Sequence, residues 1–458
     1  MNAGNYDTED LIAALATPFA ASALAVIRCS GDGSISTVSR CFSEPDLLIN
    51  ADHGRLVHGL FLHPDTSEPL DDVVLGVYRA PGGYTGEDSV EVFCHGSLPG
   101  IEAILKALSK AGFRDALPGE FTFRAFLHGK IDLTRAEAVQ EIVSSKSGKA
   151  HRFALNRLSG ALFDRIEQVK QRLADILSIL EVQLDYAEDE IGGEVSIPLD
   201  QAEEAMEHIS QLAQSYRTGR MFHEGASIAF AGKTNAGKSS LFNLFLKEDR
   251  SIVSEVHGTT RDYIESWISI EGMPARLFDT AGVRDAFDAV EQEGIRRSLD
   301  IVQKSDLVLH VFDGITGMNE QEAQFFQQQL GNPSYLFLWN KADSPHAMEA
   351  PEGTIAVSAL TAQGFHELEQ TVLGRLLGNR AASIEQEQVM IDSLRQKELL
   401  DRASDALKMF LKASDEQMPV DILASELHDA LDALGQLTGE VTSDDILERI
   451  FSGFCVGK

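Results

Sequence analysis

The sequence predicts a multidomain α/β protein. An α+β domain comes first, and an α/β domain with a mostly parallel sheet is inserted into a discontinuous central helical bundle. The first observation is the length, since 458 residues correspond to about three domains at roughly 150 residues each. The second is hydrophobic periodicity, which changes from mixed to helical, then to alternating strands and helices, and back to helical. The third is a glycine-rich loop motif inside the alternating segment.

The N-terminal segment is predicted to be α+β, because short β-rich runs surround one helix-like run at 100–111. The β-rich runs lie at 24–28, 73–78 and 89–93. An apolar stretch at 11–27 lies where a signal peptide would. No lysine or arginine precedes it and Pro18 interrupts it, so we predict a buried strand or helix edge instead.

From about residue 132 the chain shows long segments with a period of 3.6, such as 160–186, and this pattern returns at 384–450. Short β-branched or aromatic runs alternate with helical stretches between them, which indicates a mostly parallel sheet. These runs lie at 227–231, 276–278, 307–312, 335–339 and 354–357. The predicted domains are 1–128, the helical domain in two parts at 129–222 and 380–458, and the inserted domain at 223–379.

The composition limits the partners. Lysine plus arginine number 39 against 71 aspartate plus glutamate, a net charge of −32, which opposes sequence-blind binding to nucleic acid or to an anionic membrane. We interpret the one basic strip as a solvated helix face, with an RNA contact as the alternative. The strip comprises Arg152, Arg157, Arg165, Lys170 and Arg172.

The four cysteines form no CxxC pair, which argues against a disulfide scaffold or a zinc site and fits a reducing, cytoplasmic setting. The longest uninterrupted apolar runs fall short of the ~20 residues that a membrane helix needs, so we expect no membrane partner.

A phosphate-binding loop is predicted at 232–239, where GKTNAGKS matches GxxxxGK[ST] directly after the strand SIAFA. The glycines let backbone N–H groups point at phosphate oxygens, Lys238 brings a cation to the β- and γ-phosphates, and Ser239 offers a hydroxyl to magnesium. The predicted nucleotide contacts of this loop are Asn235, Ala236, Gly237, Lys238, Ser239 and Ser240.

The base is predicted to be guanine. The segment Asn340, Lys341, Ala342 and Asp343 follows the strand YLFLW, and the Asp343 carboxylate can accept hydrogen bonds from guanine N1 and the exocyclic amine. Adenine lacks that pair of donors and would leave the carboxylate unpaired. The loop at Ser358 and Ala359 is positioned to hold the base.

Two further motifs complete a nucleotide switch. Asp279, Thr280, Ala281 and Gly282 follow a strand, so Asp279 is expected behind the magnesium and the Gly282 N–H near the γ-phosphate. Upstream, GTTRD at 258–262 brings Thr260 to the metal. The four motifs in this order predict a GTP-binding switch domain.

The sequence of this domain does not by itself identify the catalytic residue. Val283 follows Gly282 where simple GTPases have a glutamine that orients water, so another group must do so. The candidates in the next segment are Arg284, Asp285, Asp288 and Glu291.

Several longer motifs make the chain resemble the MnmE/TrmE family of tRNA modification GTPases. They are TGED at 85–88 with VEVFCHG at 90–96, PGEFTFRAFLHGKIDLTRAEAV at 118–139, DTAGVR at 279–284, and TGEVTSDDILERIFSGFCVGK at 438–458. The likeness extends over nearly the whole chain, and the final CVGK is particularly specific because generic GTPases have no such ending.

This resemblance implies a function. The N-terminal domain would bind tetrahydrofolate and form a homodimer, and the inserted domain would be a P-loop GTPase using GTP and Mg²⁺. With a flavin-dependent partner in a hetero-oligomer, family members add an aminomethyl or carboxymethylaminomethyl group to C5 of the wobble uridine of certain tRNAs. The carbon comes from 5,10-methylenetetrahydrofolate, of which 5-formyltetrahydrofolate is an analogue. GTP hydrolysis would drive domain movement.

Residues at matching positions carry family roles in the GTPase domain. Asn235 resembles the potassium-binding asparagine of the family, with Ser254, Val256 and Thr259 supplying further K⁺ ligands. Such an ion would offset charge where other GTPases insert an arginine. Glu255, His257 and Gly258 complete the implied GTP contacts, and Glu291 aligns with the water-orienting glutamate.

In the N-terminal domain the resemblance assigns folate contacts to Arg28, Glu91, Lys130 and Lys458. Such a mixture suits a glutamylated pteridine, which offers a polar ring edge and an acidic tail. Cys455 would lie near this site, as a nucleophile or as a buried small hydrophobe.

Two alternative functions are compatible with the sequence. One is a regulatory ribosome-binding GTPase, which would be expected to carry a basic appendage. The other is a GTP-driven switch that has lost folate chemistry. Its support is the loop 19–23, FAASA, where the family usually has glycine and arginine.

Overall fold

The computed structural model describes residues 9–185, 196–248, 264–279, 300–378 and 389–458. The chain forms two compact units. The first comprises Met1–Gln140, Arg157–Asp185 and Ala424–Lys458, and the second comprises Glu141–Asn156 and Tyr186–Leu423.

The first unit contains a six-stranded sheet with the strand order β3-β4-β5-β2-β1-β6. Neighbouring strands run antiparallel except β1 and β6, which are parallel. The strands are β1 (Ile12–Leu15), β2 (Ser22–Ser30), β3 (Arg55–Leu62), β4 (Pro69–Tyr78), β5 (Ser89–Gly96) and β6 (Arg114–Asp115). The three predicted β-rich runs are confirmed as parts of β2, β4 and β5.

Helix α3 (Leu98–Ala111) covers this sheet and confirms the predicted helix. It begins because the Ser97 Oγ accepts a hydrogen bond from the Gly100 N–H at 3.2 Å, and it ends at Gly112, whose φ of 119° is left-handed. Its apolar positions Ile101, Ile104 and Leu108 are buried against the sheet, as a period of 3.6 requires.

The prediction of one buried segment over 11–27 is correct only at its two ends. Ile12 to Ala14 and Ala25 to Ile27 contain buried strand residues, whereas Phe19 and Leu24 are 58% and 54% exposed. Pro18 stands where the first strand has ended, and the chain then turns back so that β2 pairs with β1. The apolar residues of the connection and of the first residues of β2 therefore lie on the surface.

Outside the sheets of the two units, the regular elements of the described residues are helices. After α1 (Ser34–Ser39), α2 (Pro45–Ile49), α3 and α4 (Glu120–Leu127), the chain forms α5 (Leu133–Ser144), α6 (Gly148–Leu158), α7 (Ala161–Asp185), α8 (Leu199–Glu224), α9 (Lys238–Glu248), α10 (Glu320–Gln329), α11 (Phe365–Leu377), α12 (Leu394–Asp415), α13 (Val420–Thr438) and α14 (Asp444–Phe451). Within the described ranges, none of the helices combines the length and apolar character needed to cross a membrane.

The second unit contains the other six-stranded sheet, in the order β12-β11-β10-β7-β9-β8. Its strands are β7 (Ala226–Gly232), β8 (Ile264–Ile270), β9 (Met273–Asp279), β10 (Leu307–Asp313), β11 (Tyr335–Asn340) and β12 (Thr354–Ala356). All pairs are parallel except β8 with β9. The prediction of a mostly parallel sheet is confirmed, and the antiparallel edge strand is an addition to it.

Candidate functional site: a nucleotide pocket and an N-terminal charged cluster

The phosphate loop lies between the end of β7 and the first turn of α9. Three of its residues have left-handed backbone conformations: Gly232 with φ 126°, Asn235 with φ 66° and Gly237 with φ 96°. A Cβ at Gly237 would collide with the side-chain amide of Asn340. Glycine is therefore required at position 237 both by its φ and by this close approach.

Two side chains at the start of α9 face groups that a nucleotide complex would use. The Lys238 ammonium is buried and donates to the carbonyl oxygens of Gly232 at 2.9 Å and Lys233 at 2.7 Å. The Ser239 Oγ donates to Asp279 Oδ2 at 2.8 Å. A hydroxyl and a carboxylate are hard oxygen donors of the kind that Mg²⁺ prefers, so this pair fits the predicted metal site.

Asn340 connects the phosphate loop with the segment around Ser358. Its Nδ2 donates to the Ala236 carbonyl at 2.8 Å, and its Oδ1 accepts from the Ala359 N–H at 3.2 Å. The Ser358 Oγ accepts from the N–H groups of Leu360 and Thr361 at 3.2 and 3.1 Å. Asn340 and Ser358 are both 1% exposed, so three segments that are distant in sequence share one buried polar network.

The other residues of the predicted base site differ in exposure. The Asp343 carboxylate is exposed and so is open to a ligand. Lys341 has a left-handed φ of 66°, and its ammonium donates to Asp313 Oδ2 at 2.7 Å. Burial would raise the pKa of Asp313, but the hydrogen bond and charge of Lys341, together with hydrogen bonds from the Ile315 and Thr316 N–H groups, hold the pKa below its usual range.

A neighbouring contact was missed at the level of sequence. Lys233 of the phosphate loop forms a 2.8 Å ion pair with Glu322 in the first turn of α10. Glu322 also completes a capping box, because its carboxylate accepts from the Asn319 N–H while Asn319 accepts from the Glu322 N–H. The pattern Asn-x-x-Glu predicts the cap, but the partner 89 residues away leaves no local signal.

Several predicted site residues lie outside the described residues. They are the GTP and K⁺ contacts Ser254, Glu255, Val256, His257, Gly258, Thr259 and Thr260, the residues Thr280, Ala281 and Gly282, and the catalytic candidates Arg284, Asp285, Asp288 and Glu291.

The structure brings together three of the four predicted folate positions. Arg28 and Glu91 are opposite each other on β2 and β5, with Arg28 Nε donating to Glu91 Oε1 at 2.9 Å. Arg28 Nη1 also donates to the Gly457 carbonyl at 3.2 Å, one residue before Lys458. The Tyr78 hydroxyl donates to the other Glu91 oxygen at 3.4 Å. The result is a charged cluster built by two strands and the CVGK segment.

The remaining residues of this region have distinct surroundings. Burial lowers the pKa of Lys458, and the Arg28 guanidinium lowers it further. The Lys130 ammonium donates to the Pro81 carbonyl at 2.9 Å in the loop after β4. Cys455 is exposed, whereas Cys29, Cys41 and Cys94 are buried. The alternative of a buried hydrophobe at position 455 is therefore wrong, because the thiol faces solvent.

A buried ionic network gives the TGED and PGEFTFR motifs a structural role that the sequence did not reveal. Arg124, which is 0% exposed, donates to Glu120 Oε1 at 2.9 Å and to Glu87 Oε1 at 3.2 Å. Arg114 binds the same Glu120 carboxylate at 2.7 Å. Burial alone would raise the pKa of Glu120, but hydrogen bonds from the two arginines and the Leu117 N–H lower it. The network fixes the loop at 85–88 to helix α4.

The basic strip is not a uniformly solvated face. Arg157 is only 4% exposed, so the interpretation is wrong at this position, since the residue lies on the inner side of its helix next to the buried stripe. Lys170 forms ion pairs with Glu167 and Glu440.

Together, a phosphate loop at the carboxyl end of a parallel strand and an NKAD segment after a second strand define the GTPase class of P-loop domains. Comparison with known proteins specifies the family. Residues 133–455 match the MnmE helical domain, and residues 11–130 match the GTP-binding protein TrmE N-terminus. The chain belongs to the MnmE/TrmE family.

Two relatives illustrate the likeness. A protein of Borrelia recurrentis named tRNA modification GTPase MnmE is 40% identical over 463 residues, with 99% of each chain covered. A protein of the same name from Treponema denticola is 39% identical over 472 residues, with 100% of each chain covered. Among solved structures, Aquifex aeolicus Era bound to GDP and AlF₄⁻ is 22% identical, with a TM-score of 0.26 over 41% of this chain and 66% of Era.

Proposed function

We propose that this protein is a GTPase that acts in tRNA modification. The observation that carries the proposal is the Asn340 amide, which joins the phosphate loop to the Ser358 loop and so assembles a pocket for phosphates and base together. The full-length likeness to proteins named tRNA modification GTPase supports the same class.

The residues of the pocket have separate tasks. Lys238 now donates to two loop carbonyls, and the β- and γ-phosphates of GTP would replace these as acceptors. Ser239, with Asp279 behind it and Thr260 from the switch, would hold Mg²⁺, which would supply positive charge to offset that of the phosphates. The exposed Asp343 carboxylate would accept hydrogen bonds from the N1–H and the exocyclic amine of guanine, a pair of donors that adenine lacks.

Hydrolysis is proposed to need K⁺ and Glu291. Asn235 is exposed at the bend of the phosphate loop, where an amide oxygen can reach an ion beside the phosphates, with Ser254, Val256 and Thr259 as further ligands. Glu291 would orient the attacking water. Equal hydrolysis rates in NaCl and KCl would contradict the K⁺ site. Loss of GTP binding in Glu291→Ala, rather than slow turnover, would contradict the role of the glutamate.

The N-terminal cluster is proposed to bind 5,10-methylenetetrahydrofolate, or its analogue 5-formyltetrahydrofolate. The Glu91 carboxylate offers acceptors to the pterin edge, while Arg28, Lys458 and Lys130 supply cations for the acidic tail. Exposed Cys455 is a candidate nucleophile in the same segment as Lys458.

The wider proposal follows the family. The domains would divide at 1–128, 129–222, 223–379 and 380–458, with the first forming a homodimer. A flavin-dependent partner would join the protein in the cytoplasm to add the aminomethyl or carboxymethylaminomethyl group to C5 of the wobble uridine.

Mass spectrometry of nucleosides from bulk tRNA tests this function, in a strain that lacks the protein and in the same strain complemented. Loss of 5-aminomethyl-type uridines and their return on complementation is expected. Complementation with Arg28→Ala should fail if folate binding matters, and it should succeed if the protein is a GTP-driven switch without folate chemistry. Modified uridines that persist unchanged in the deletion strain would contradict the tRNA function.

A further inference from the structure

We propose that Asp313 is a positioning residue of the guanine site, which acts by holding the Lys341 side chain in place for the base. This inference rests on the proposed function, because it concerns how the same pocket recognises a guanosine nucleotide. Asp313 belongs to none of the four nucleotide motifs. It is the last residue of β10, 28 residues before Lys341.

The position of Asp313 follows from the sheet. Strands β10 and β11 are parallel, and Asp313 pairs in register with Asn340, the first residue of the NKAD segment. The carboxyl ends of the two strands therefore lie side by side, which brings the carboxylate within 2.7 Å of the Lys341 ammonium. The second oxygen, Oδ1, accepts from the Ile315 N–H at 2.9 Å. Both oxygens of the Asp313 carboxylate therefore accept hydrogen bonds, which fix its orientation.

The side chain of Lys341 needs such an anchor because it is long and flexible, whereas the residues on either side of it are held by hydrogen bonds. Asn340 is held by two side-chain hydrogen bonds, and the Ala342 N–H donates to the Val357 carbonyl at 3.0 Å. Between them Lys341 adopts a left-handed backbone that non-glycine residues rarely take. Its side chain is 35% exposed, and among its described contacts the ion pair with Asp313 is the one that determines where the flexible stem lies.

The surroundings of Asp313 are rigid enough to serve as an anchor. The Gly314 N–H donates to the Asn340 carbonyl at 2.8 Å, and the Met348 N–H donates to the Gly314 carbonyl at 2.8 Å. The Trp339 Nε1 donates to the Met348 carbonyl at 3.0 Å. The turn after β10 and the NKAD segment therefore form one hydrogen-bonded body, in contrast to a pair of surface side chains that move independently.

This arrangement is expected to act on the guanine base of the nucleotide. With its ammonium held by Asp313, the lysine presents its alkyl stem, which can pack on the flat face of a purine. The contact does not involve the γ-phosphate or the attacking water. GDP and GTP should depend on it equally, and the rate of hydrolysis at saturation should not depend on it.

The test uses the full-length protein and Asp313→Asn, which removes the charge but keeps an oxygen for the Ile315 N–H. We expect the Kd for fluorescent GDP and for a non-hydrolysable GTP analogue to rise about tenfold each, the scale of one charge-assisted hydrogen bond. The kcat should remain unchanged while KM rises. Asp300→Asn is the matched control, because it breaks the exposed Asp300–Lys304 pair by the same substitution.

A double-mutant cycle separates positioning from general destabilisation. In a Lys341→Met background, Asp313→Asn should cause no further loss of affinity. The inference would be overturned if the two substitutions caused additive losses of affinity. It would also be overturned by an unchanged Kd in Asp313→Asn, or by a fall in kcat without a rise in KM. If Asp313→Asn does not fold, Asp313→Ser retains an acceptor for the turn and replaces it. Failure of the wild-type protein to bind GDP or GTP would instead refute the proposed function.

Discussion

Gly237 lies where the phosphate loop passes close to Asn340 of the NKAD segment. Its left-handed φ of 96° and the nearby Asn340 amide leave no room for a side chain. A substitution there changes the site itself, because the amide that must move also holds the Ala236 carbonyl and the Ala359 N–H. A single added methyl group at position 237 would therefore disturb the hydrogen bonds that form the pocket.

We predict that Gly237→Ala loses nucleotide binding and costs about 1–3 kcal/mol of stability, because of backbone strain and the displaced amide. Fluorescent-GDP titration and urea unfolding measure the two effects. Gly374→Ala is the control, since its added methyl group in helix α11 has no atom within 4 Å beyond its chain neighbours and the helix's own backbone, and it should stabilise the protein by up to about 1 kcal/mol. Wild-type affinity in Gly237→Ala would contradict the role of this close approach.

At the scale of elements, helix α10 covers an aromatic cluster on strands β10 and β11 of the nucleotide sheet. His310 on β10 packs against the rings of Phe312 and Phe325, with centroids 4.8 and 4.9 Å away. Burial lowers the pKa of His310 to about 4 from 6.5, with Glu322 opposing the shift and Lys238 adding to it. The His310 imidazole, which packs against helix α10, is therefore neutral in the folded protein at neutral pH.

This arrangement predicts a pH dependence of stability. The pKa of His310 is lower in the folded protein than in the unfolded chain, so as the pH falls the unfolded chain binds the proton at a higher pH than the folded protein does. The free energy of unfolding therefore falls as the pH drops from about 6.5 towards about 4. Integrating between those two values gives a loss of about 2 kcal/mol from pH 7 to pH 5. His310→Leu should remove that part of the loss. Urea unfolding at both pH values measures it, and an identical pH slope in the variant would contradict the prediction.

At the scale of the whole molecule, the joint between helix α8 and the nucleotide sheet depends on Gly225. This residue has a φ of 81°, and a Cβ there would lie 2.5 Å from the Trp267 ring. Trp267 is in turn flanked by the Lys146 ammonium and the Arg276 guanidinium, each 5.7 Å from its ring. Trp267 of the hairpin formed by β8 and β9 therefore contacts Gly225, which directly precedes β7, and Lys146, which precedes helix α6.

Gly225→Ala should therefore destabilise the protein by about 1–3 kcal/mol, since the methyl group meets both an unfavourable φ and an indole ring. Thermal unfolding gives the change. A Gly225→Ala, Trp267→Leu double variant should be less unstable than the sum of the two singles, because the smaller side chain removes the collision. Strict additivity would show that Trp267 does not impose the glycine.

Much of this architecture could be predicted, and the exceptions have physical reasons. Strands such as β7 and β10 are short continuous apolar runs because both of their faces are covered, and such runs are conspicuous in sequence. Strand β3 was missed because it is an edge strand whose outward residues Leu56 and Leu60 are exposed and apolar, which obscures the alternation. Buried Arg124 was missed because no local pattern marks which arginine is enclosed by carboxylates.

The same limit applies to the site. Lys238, Ser239, Asp279 and Asn340 were predicted because their roles depend on short motifs, whereas Asp313 and Glu322 act through partners 28 and 89 residues away. Sheet register, which brings Asp313 to the NKAD segment, is a property of the folded chain rather than of any window of sequence.

A nucleotide competition experiment tests the central claim, a guanine-specific GTPase pocket, most directly. GTP, ATP and XTP would compete with fluorescent GDP on the wild-type protein and with fluorescent XDP on Asp343→Asn. GTP alone should compete on the wild type, and XTP should replace it on the variant, because an amide can donate to the xanthine C2 oxygen where the carboxylate accepts from the guanine amine. Equal competition by ATP on the wild type would contradict the claim.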